Sequence, residues 1–223
     1  MRYSEGVGGS AFQRARSAEH KQQRAQDLID AARELALQQG VKSVTLTAVA
    51  QRAGVHHSAV RRYFDSHRDV LLHLAAEGWN RWSDAVVGEL RDRQVSPAEL
   101  AGILTATLAS DPLLCDLLAN VPLHLEHDVD VDRVVEFKRY SRAAIARMRE
   151  AIVAGVPGLD EPAALDVITA SNAMAATLWQ ATHPGAALAA ALNADRSLSY
   201  LAAGDFEQTL ARLLTATVTG LTR

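Results

Sequence analysis

Between positions 56 and 63 the chain gathers side chains suited to one kind of recognition. His56, His57 and Ser58 can donate hydrogen bonds, Ala59 presents a methyl, Arg61 and Arg62 carry guanidiniums, and Tyr63 adds a phenol. A guanidinium can fork onto the two acceptors of a guanine edge or clamp a phosphate, and a small methyl can meet the thymine methyl. This is an inventory for reading a nucleic-acid groove. The sequence carries no phosphate-cradling glycine loop, no dinucleotide fingerprint and no G-x-S-x-G elbow, so no enzymatic activity and no cofactor is expected.

Such side chains need a short helix held at a fixed angle by its neighbours. Residues 44–55 predict that neighbour, a short helix capped by Thr45 and closed by Gly54, with Leu46, Val49, Ala50 and Ala53 on one face. A second short helix is expected over 57–63. Ala50 is small enough for the two helices to cross closely, Gly54 permits a left-handed turn, and Val55 and Val60 anchor the second helix to the core. Upstream, Ala25, Leu28, Ile29, Ala32, Leu35 and Ala36 recur at helical spacing, and Gly40 stands where a left-handed cap would end that helix. Downstream, Ser66 with Asp69 forms a capping-box-like start for a long helix running toward position 90. Three helices with a glycine turn before the last give the outline of a helix-turn-helix, whose second helix of the pair enters the major groove.

Charge is distributed accordingly. The chain as a whole carries −3, yet residues 1–75 hold eleven Lys/Arg against seven Asp/Glu, a net of +4, and the remainder holds twelve against nineteen, a net of −7. A basic head on an acidic body repels phosphate everywhere except at the reading surface. The glycine-rich start, followed by Arg14, Arg16, Lys21 and Arg24, is expected to be a flexible arm over 1–16.

The remaining chain is punctuated by Pro97, Pro112, Pro122, Pro157, Pro162 and Pro184 and shows no sustained period-two alternation. Helices are expected over 97–110, 112–120, 130–154, 162–182 and 205–222, with an alanine-rich turn or two inside the connection 184–204. The fold class is all-α. With 223 residues, nearly half hydrophobic, the chain is long enough for a substantial core in one large domain or two small ones. Its single cysteine, Cys115, closes no internal disulfide, no secretory leader opens the chain, and no apolar run reaches membrane-spanning length. A cytoplasmic protein with no membrane partner is the expectation.

The elements Leu28-Ile29-Asp30-Ala31-Ala32, Gly40, Val44-Thr45-Leu46-Thr47, Ala53-Gly54-Val55, Arg62-Tyr63-Phe64 and Leu71-Leu72 fall in an order and spacing that resembles the N-terminal domain of TetR-family (TetR/AcrR-like) transcriptional regulators. The resemblance covers roughly residues 22–75. It implies a helix-turn-helix domain over 17–66 and a helical regulatory and dimerisation domain over 67–223. It also implies that Thr47 touches backbone phosphate, that helix three supplies base contacts, and that Tyr63 with the start of helix four clamps phosphates. Three positions depart from the family pattern. His56 stands where a capping serine or threonine is usual, Arg61 where an aromatic is usual, and His67 where a lysine reaches phosphate. Arg61 and Arg62 can offset the missing lysine. Protonation of His57 and His67 below about pH 6.5 is one route to tighter DNA binding, against the plainer reading of both as surface histidines.

The same resemblance implies a homodimer on a palindromic operator of double-stranded DNA, released by a small-molecule effector, with repression the main reading. The alternatives are activation, or a helical module working through a protein partner. Pairing is expected through residues 162–182 and 205–222, with Leu165, Ile168, Asn172, Ala176, Phe206, Leu210, Leu213 and Thr217 at the interface. The effector pocket is expected among the helices from the end of helix four to helix eight, drawing on Trp79, Trp82, Cys115, His124, Phe137, Tyr140, Asn172, Trp179 and His183. His124-Leu125-Glu126-His127-Asp128 invites comparison with a metal site, but its order is not that of a zinc peptidase and a solvated helix end accounts for it, so no metal is expected. Cys115, in an apolar stretch, reads as an inert buried thiol.

Overall fold

The computed structural model describes residues 8–127, 129–199 and 205–222, with side chains from Glu19 onward. They fall into two compact units, Met1–Val70 and Leu71–Arg223. All eleven Lys/Arg and seven Asp/Glu of the basic segment belong to the first unit, because residues 71–75 carry no Lys, Arg, Asp or Glu. No strand occurs among the described residues.

The first unit contains α1 (Gly8–Gln39), a 3-10 turn (Val41–Ser43), α2 (Leu46–Arg52), α3 (His57–Val60) and the start of α4 (His67–Leu90). α1 begins inside the stretch expected to be an arm. Ala11, Gln13, Arg14, Ala15 and Arg16 are strong helix formers, and extending an existing helix needs no new nucleation. Residues 1–7 of that arm, and the side chains of Arg14 and Arg16, lie outside the described residues. Lys21 and Arg24 are exposed.

Leu28, Ile29, Ala32, Leu35 and Ala36 are buried along one face of α1, against which α2 packs. The helix does not end in a left-handed cap. Gly40 has φ 81° and ψ 161°, a region open essentially to glycine alone, and the Ser43 hydroxyl closes the corner by donating to the Gly40 carbonyl at 2.7 Å. Thr45 caps α2, its Oγ1 accepting from the Ala48 N–H at 3.1 Å, and Gly54 takes φ 66° in the turn to α3. Arg52 fastens α2 to α1 through Glu34 at 3.2 Å and Gln38 at 2.7 Å. Ser66 starts α4 by accepting from the Asp69 N–H at 3.2 Å.

The second unit contains the rest of α4 with α5 (Pro97–Ala109), α6 (Pro112–Asn120), α7 (Val131–Gly155), α8 (Glu161–Thr182), α9 (Ala186–Ala194) and α10 (Phe206–Leu221). Capping explains why these helices start where they do. Ser96 and Glu99 form a complete capping box, while Asp111, Asp130 and Asp160 cap α6, α7 and α8. Proline follows three of these caps directly or one residue later, where its missing N–H costs nothing. α10 packs against α5 and α8, and α6 and α7 pack against α8. Trp82, Leu104, Leu114, Met148, Ile168 and Leu210 are among the fully buried side chains of this core. α9 is a nine-residue helix, longer than the turn or two expected, and none of its residues is buried. Among the described residues no single helix is long and apolar enough to cross a membrane.

Candidate functional site

The first unit carries its groove-reading side chains at or near its surface. Val60 and Phe64 are buried, at 0% and 5% exposure, and fix these residues from below. Thr47, His56, Ser58, Arg61, Arg62 and His67 are exposed, and His57, Ala59 and Tyr63 are half-buried. The arginines of this unit fall into two kinds, and Arg24 on α1, exposed and without an ion pair among the described residues, belongs with Arg61 and Arg62. Arg52 is committed to Glu34 and Arg33 to Asp30, whereas neither Arg61 nor Arg62 has an ion-pair partner among the described residues. Two unspent guanidiniums on a basic unit are available for phosphate or guanine.

α3 is shorter than the helix expected over 57–63. After Val60 the backbone tightens: Arg62 N–H donates to Ala59 O at 3.3 Å and Tyr63 N–H to Val60 O at 2.9 Å, so the last residues form i to i+3 turns. His56 nevertheless supplies the cap that its position lacks in hydroxyl form. Its Nδ1 accepts from the Ser58 N–H at 3.3 Å and lies 2.9 Å from the Ser58 hydroxyl. His67, at the start of α4, has its pKa lowered from 6.5 by burial of the ring and secondarily by the Arg68 charge, so it is a weaker cation than a lysine in that place.

In the second unit a cavity of about 220 Å³ opens between α4, α6, α7, α8 and the turn that follows α6. That turn is a π turn, Val121–Leu125, in which the Glu126 N–H reaches back to the Val121 carbonyl at 3.3 Å. Trp79 from α4, Phe137 and Ile145 from α7 and Ile168 from α8 make an apolar wall, completed by Leu118, Val121 and Pro122. Glu126, Lys138, Ser141, Thr169 and Asn172 make the polar one. Ser141 and Thr169 spend their hydroxyl protons on the carbonyls of Lys138 at 3.3 Å and Leu165 at 2.8 Å. The Asn172 amide has no hydrogen-bond partner among the described residues. Lys138 forms an ion pair with Glu126 and holds its ammonium over the Phe137 ring, 5.4 Å from the centroid.

Of the nine side chains expected in the pocket, the cavity brings together Trp79, Phe137 and Asn172. Trp82 is in the core behind it, its indole N–H donating to Thr107 Oγ1 at 3.2 Å. Cys115 is wholly buried; its thiol donates to the Leu108 carbonyl at 3.3 Å, and burial, with the Asp111 charge second, pushes its pKa to about 12. Its inertness is therefore electrostatic as well as steric. His124 is exposed because the π turn rotates it outward and Leu125 inward. Tyr140, 47% exposed, lies off the Phe137–Ser141 face of α7. Trp179 and His183 stack with ring centroids 3.6 Å apart, and the Trp179 and Phe206 rings meet edge to face. Glu126, Lys138 and Ser141 were not expected here, since charged and hydroxyl residues on an amphipathic helix read as a solvent face. Among the described residues no group of His, Cys, Asp and Glu is placed to hold a metal.

The residues expected at a partner interface divide by position. Leu165 is exposed, and Asn172, Ala176, Leu213 and Thr217 are half-buried. Ile168, Phe206 and Leu210 are instead part of the chain's own core, at 1%, 5% and 0% exposure. An amphipathic helix turns its largest apolar side chains to the nearest core, and for α10 that core is α5 and α8.

Residues 28–74 match the family described as bacterial regulatory proteins, tetR family, and residues 76–223 match the tetracyclin repressor-like C-terminal domain. No curated protein sequence matches the chain. Among solved structures, the chain is similar to FadR from Bacillus subtilis in complex with stearoyl-CoA, at 16% identity and TM-score 0.52, over 88% of this chain and 97% of that one. It is similar to MbdR from Azoarcus sp. CIB at 16% identity and TM-score 0.53, over 89% and 98%. It is also similar to a TetR-family regulator from Streptomyces coelicolor at 18% identity and TM-score 0.51, over 89% and 99%. At these identities the likeness is one of fold.

Proposed function

This chain belongs to the TetR family of bacterial transcriptional regulators, and from that premise we propose that it is an effector-released repressor acting as a homodimer on a palindromic operator. The observation that carries the reading is the exposed set His56, Ser58, Arg61 and Arg62, with both arginines unspent on a unit of net charge +4. Thr47, Tyr63 and His67 grip phosphate and thereby set register, while His57, Ser58, Ala59, Arg61 and Arg62 address base edges and neighbouring phosphates. The first unit, which ends at Val70 and so includes His67, serves as the reading domain, and Leu71–Arg223 as the regulatory one.

Two reading helices at a fixed spacing require two copies of the chain. The surfaces left for that pairing are the outer faces of α8 and α10, with Leu165, Ala176, Leu213 and Thr217. A small organic effector occupies the cavity between α4 and α8. Trp79 lines that cavity and lies on the same continuous helix as His67, so an effector that favours one position of α4 biases the reading heads. No catalytic role is assigned to any residue, and the protein works in the cytoplasm, where its DNA is.

The test is an anisotropy titration of the full-length protein against the DNA flanking its own gene, at several salt concentrations. Saturable binding about a thousandfold tighter than to random DNA supports an operator-specific regulator. Weak binding of equal strength to every sequence, lost with salt, favours the module that acts through a protein partner.

A further inference from the structure

The cavity of the second unit already contains a cation of the protein's own. The Lys138 ammonium sits against the Glu126 carboxylate and over the Phe137 ring, which is how a ligand cation would be held: by a countercharge on one side and a π face on the other. The two partners of this pair are not equally free to leave. The Glu126 side chain is 22% exposed and follows directly on the π turn, whereas the Lys138 side chain is 52% exposed on a flexible four-carbon stem. Glu126 Oε1 is itself buried and receives no hydrogen bond of good geometry, so the lysine is its main compensation. An incoming cation lets Lys138 swing into water at small cost while Glu126 stays compensated. An incoming anion would have to take Lys138 and leave the half-buried Glu126 carboxylate, with its Oε1 shut off from water, unpaired.

We propose that the effector cavity is selective for a small organic cation with an aromatic or compact apolar body, bound by Glu126 in exchange for Lys138. This rests on the reading of the cavity as the effector site. The volume, about 220 Å³, admits one ring with a short charged arm. Trp79 and Phe137 receive the ring, and the unpartnered Asn172 amide can accept from or donate to a polar substituent.

The test is calorimetric titration of the full-length protein with three probes of like shape: benzyltrimethylammonium, benzyl alcohol and phenylacetate. The ammonium is expected to bind saturably, to weaken about tenfold or more in Glu126→Gln, and to bind Lys138→Met at least as tightly as the parent, since the internal competitor is gone. Ammonium binding indifferent to Glu126→Gln overturns the proposal. Equal or tighter binding of the alcohol, or phenylacetate binding lost in Lys138→Met, overturns the cation selectivity and leaves the cavity as the effector site. Binding of none of the three overturns the selectivity and also removes support for the cavity itself, while operator affinity, measured separately, continues to report on the DNA-binding reading.

Discussion

The imidazole Nδ1 of His56 accepts the backbone N–H of Ser58 at 3.3 Å, so an aromatic ring does the work of a hydroxyl cap at the head of α3. His56→Ala removes that acceptor and is expected to cost about 1 kcal/mol of stability, with weaker operator binding; His56→Asp restores the cap. Thermal melts of the three proteins, read beside their operator affinities, check this. Equal melting of all three contradicts a capping role.

His67 should respond to pH with two opposite signs. Its pKa is lowered in the folded chain by burial and by Arg68, so between that value and 6.5 the unfolded chain binds more protons than the folded one. Stability contributed by the neutral ring is therefore complete above pH 6.5 and declines as pH falls through the folded pKa. If the ring meets phosphate, operator affinity instead rises over the same interval. His67→Lys is expected to tighten DNA binding several-fold at pH 7.5, to steepen its salt dependence by about one counterion, and to remove the pH effect. Paired titrations at pH 5.5 and 7.5 distinguish these outcomes.

Arg61 and Arg62 can be assigned one at a time. Replacement by Ala is expected to cost about 1 to 3 kcal/mol at one operator position if the side chain reads a base. If it holds phosphate, affinity should fall on all sequences and the slope of log affinity on log salt should drop by about one. Uniform loss at unchanged slope contradicts both roles.

Gly78 marks a close approach of α4 to α6. A Cβ there would stand 2.9 Å from Leu114 Cδ1, and Leu114 is fully buried. Gly78→Ala is expected to destabilise the fold by about 1 to 3 kcal/mol. In Leu114→Ala the same change should cost much less, so a double-mutant cycle in urea reads the contact as a coupling energy.

The helical frame was legible because its boundaries are written in local chemistry. Ser96, Asp111 and Asp160, each with a proline at hand, start α5, α6 and α8 within a residue of the positions expected, and Thr45, Gly54 and Ser66 do the same around the reading helix. α1 starts earlier than expected, since residues 11–16 carry good helix propensity but no hydrophobic period. The cavity was half legible. Trp79 and Phe137 are large apolar residues on faces that a helical wheel turns inward. Lys138 escapes such a wheel because a charged residue beside Phe137 reads as part of the solvent face, and Glu126 because it follows the π turn Val121–Leu125, outside any regular helix. The same turn sends His124 outward and Leu125 inward.

The two walls of the cavity differ in what they owe to the rest of the molecule. Trp79, Phe137 and Ile168 belong to the core, at 5%, 4% and 1% exposure, whereas Glu126 and Lys138 stand at its solvent edge. Substitutions at 126 and 138 therefore alter the sign of charge a ligand meets without emptying or crowding the interior. Descendants of this chain can change what they respond to by single steps at the rim, while the same interior continues to be inherited.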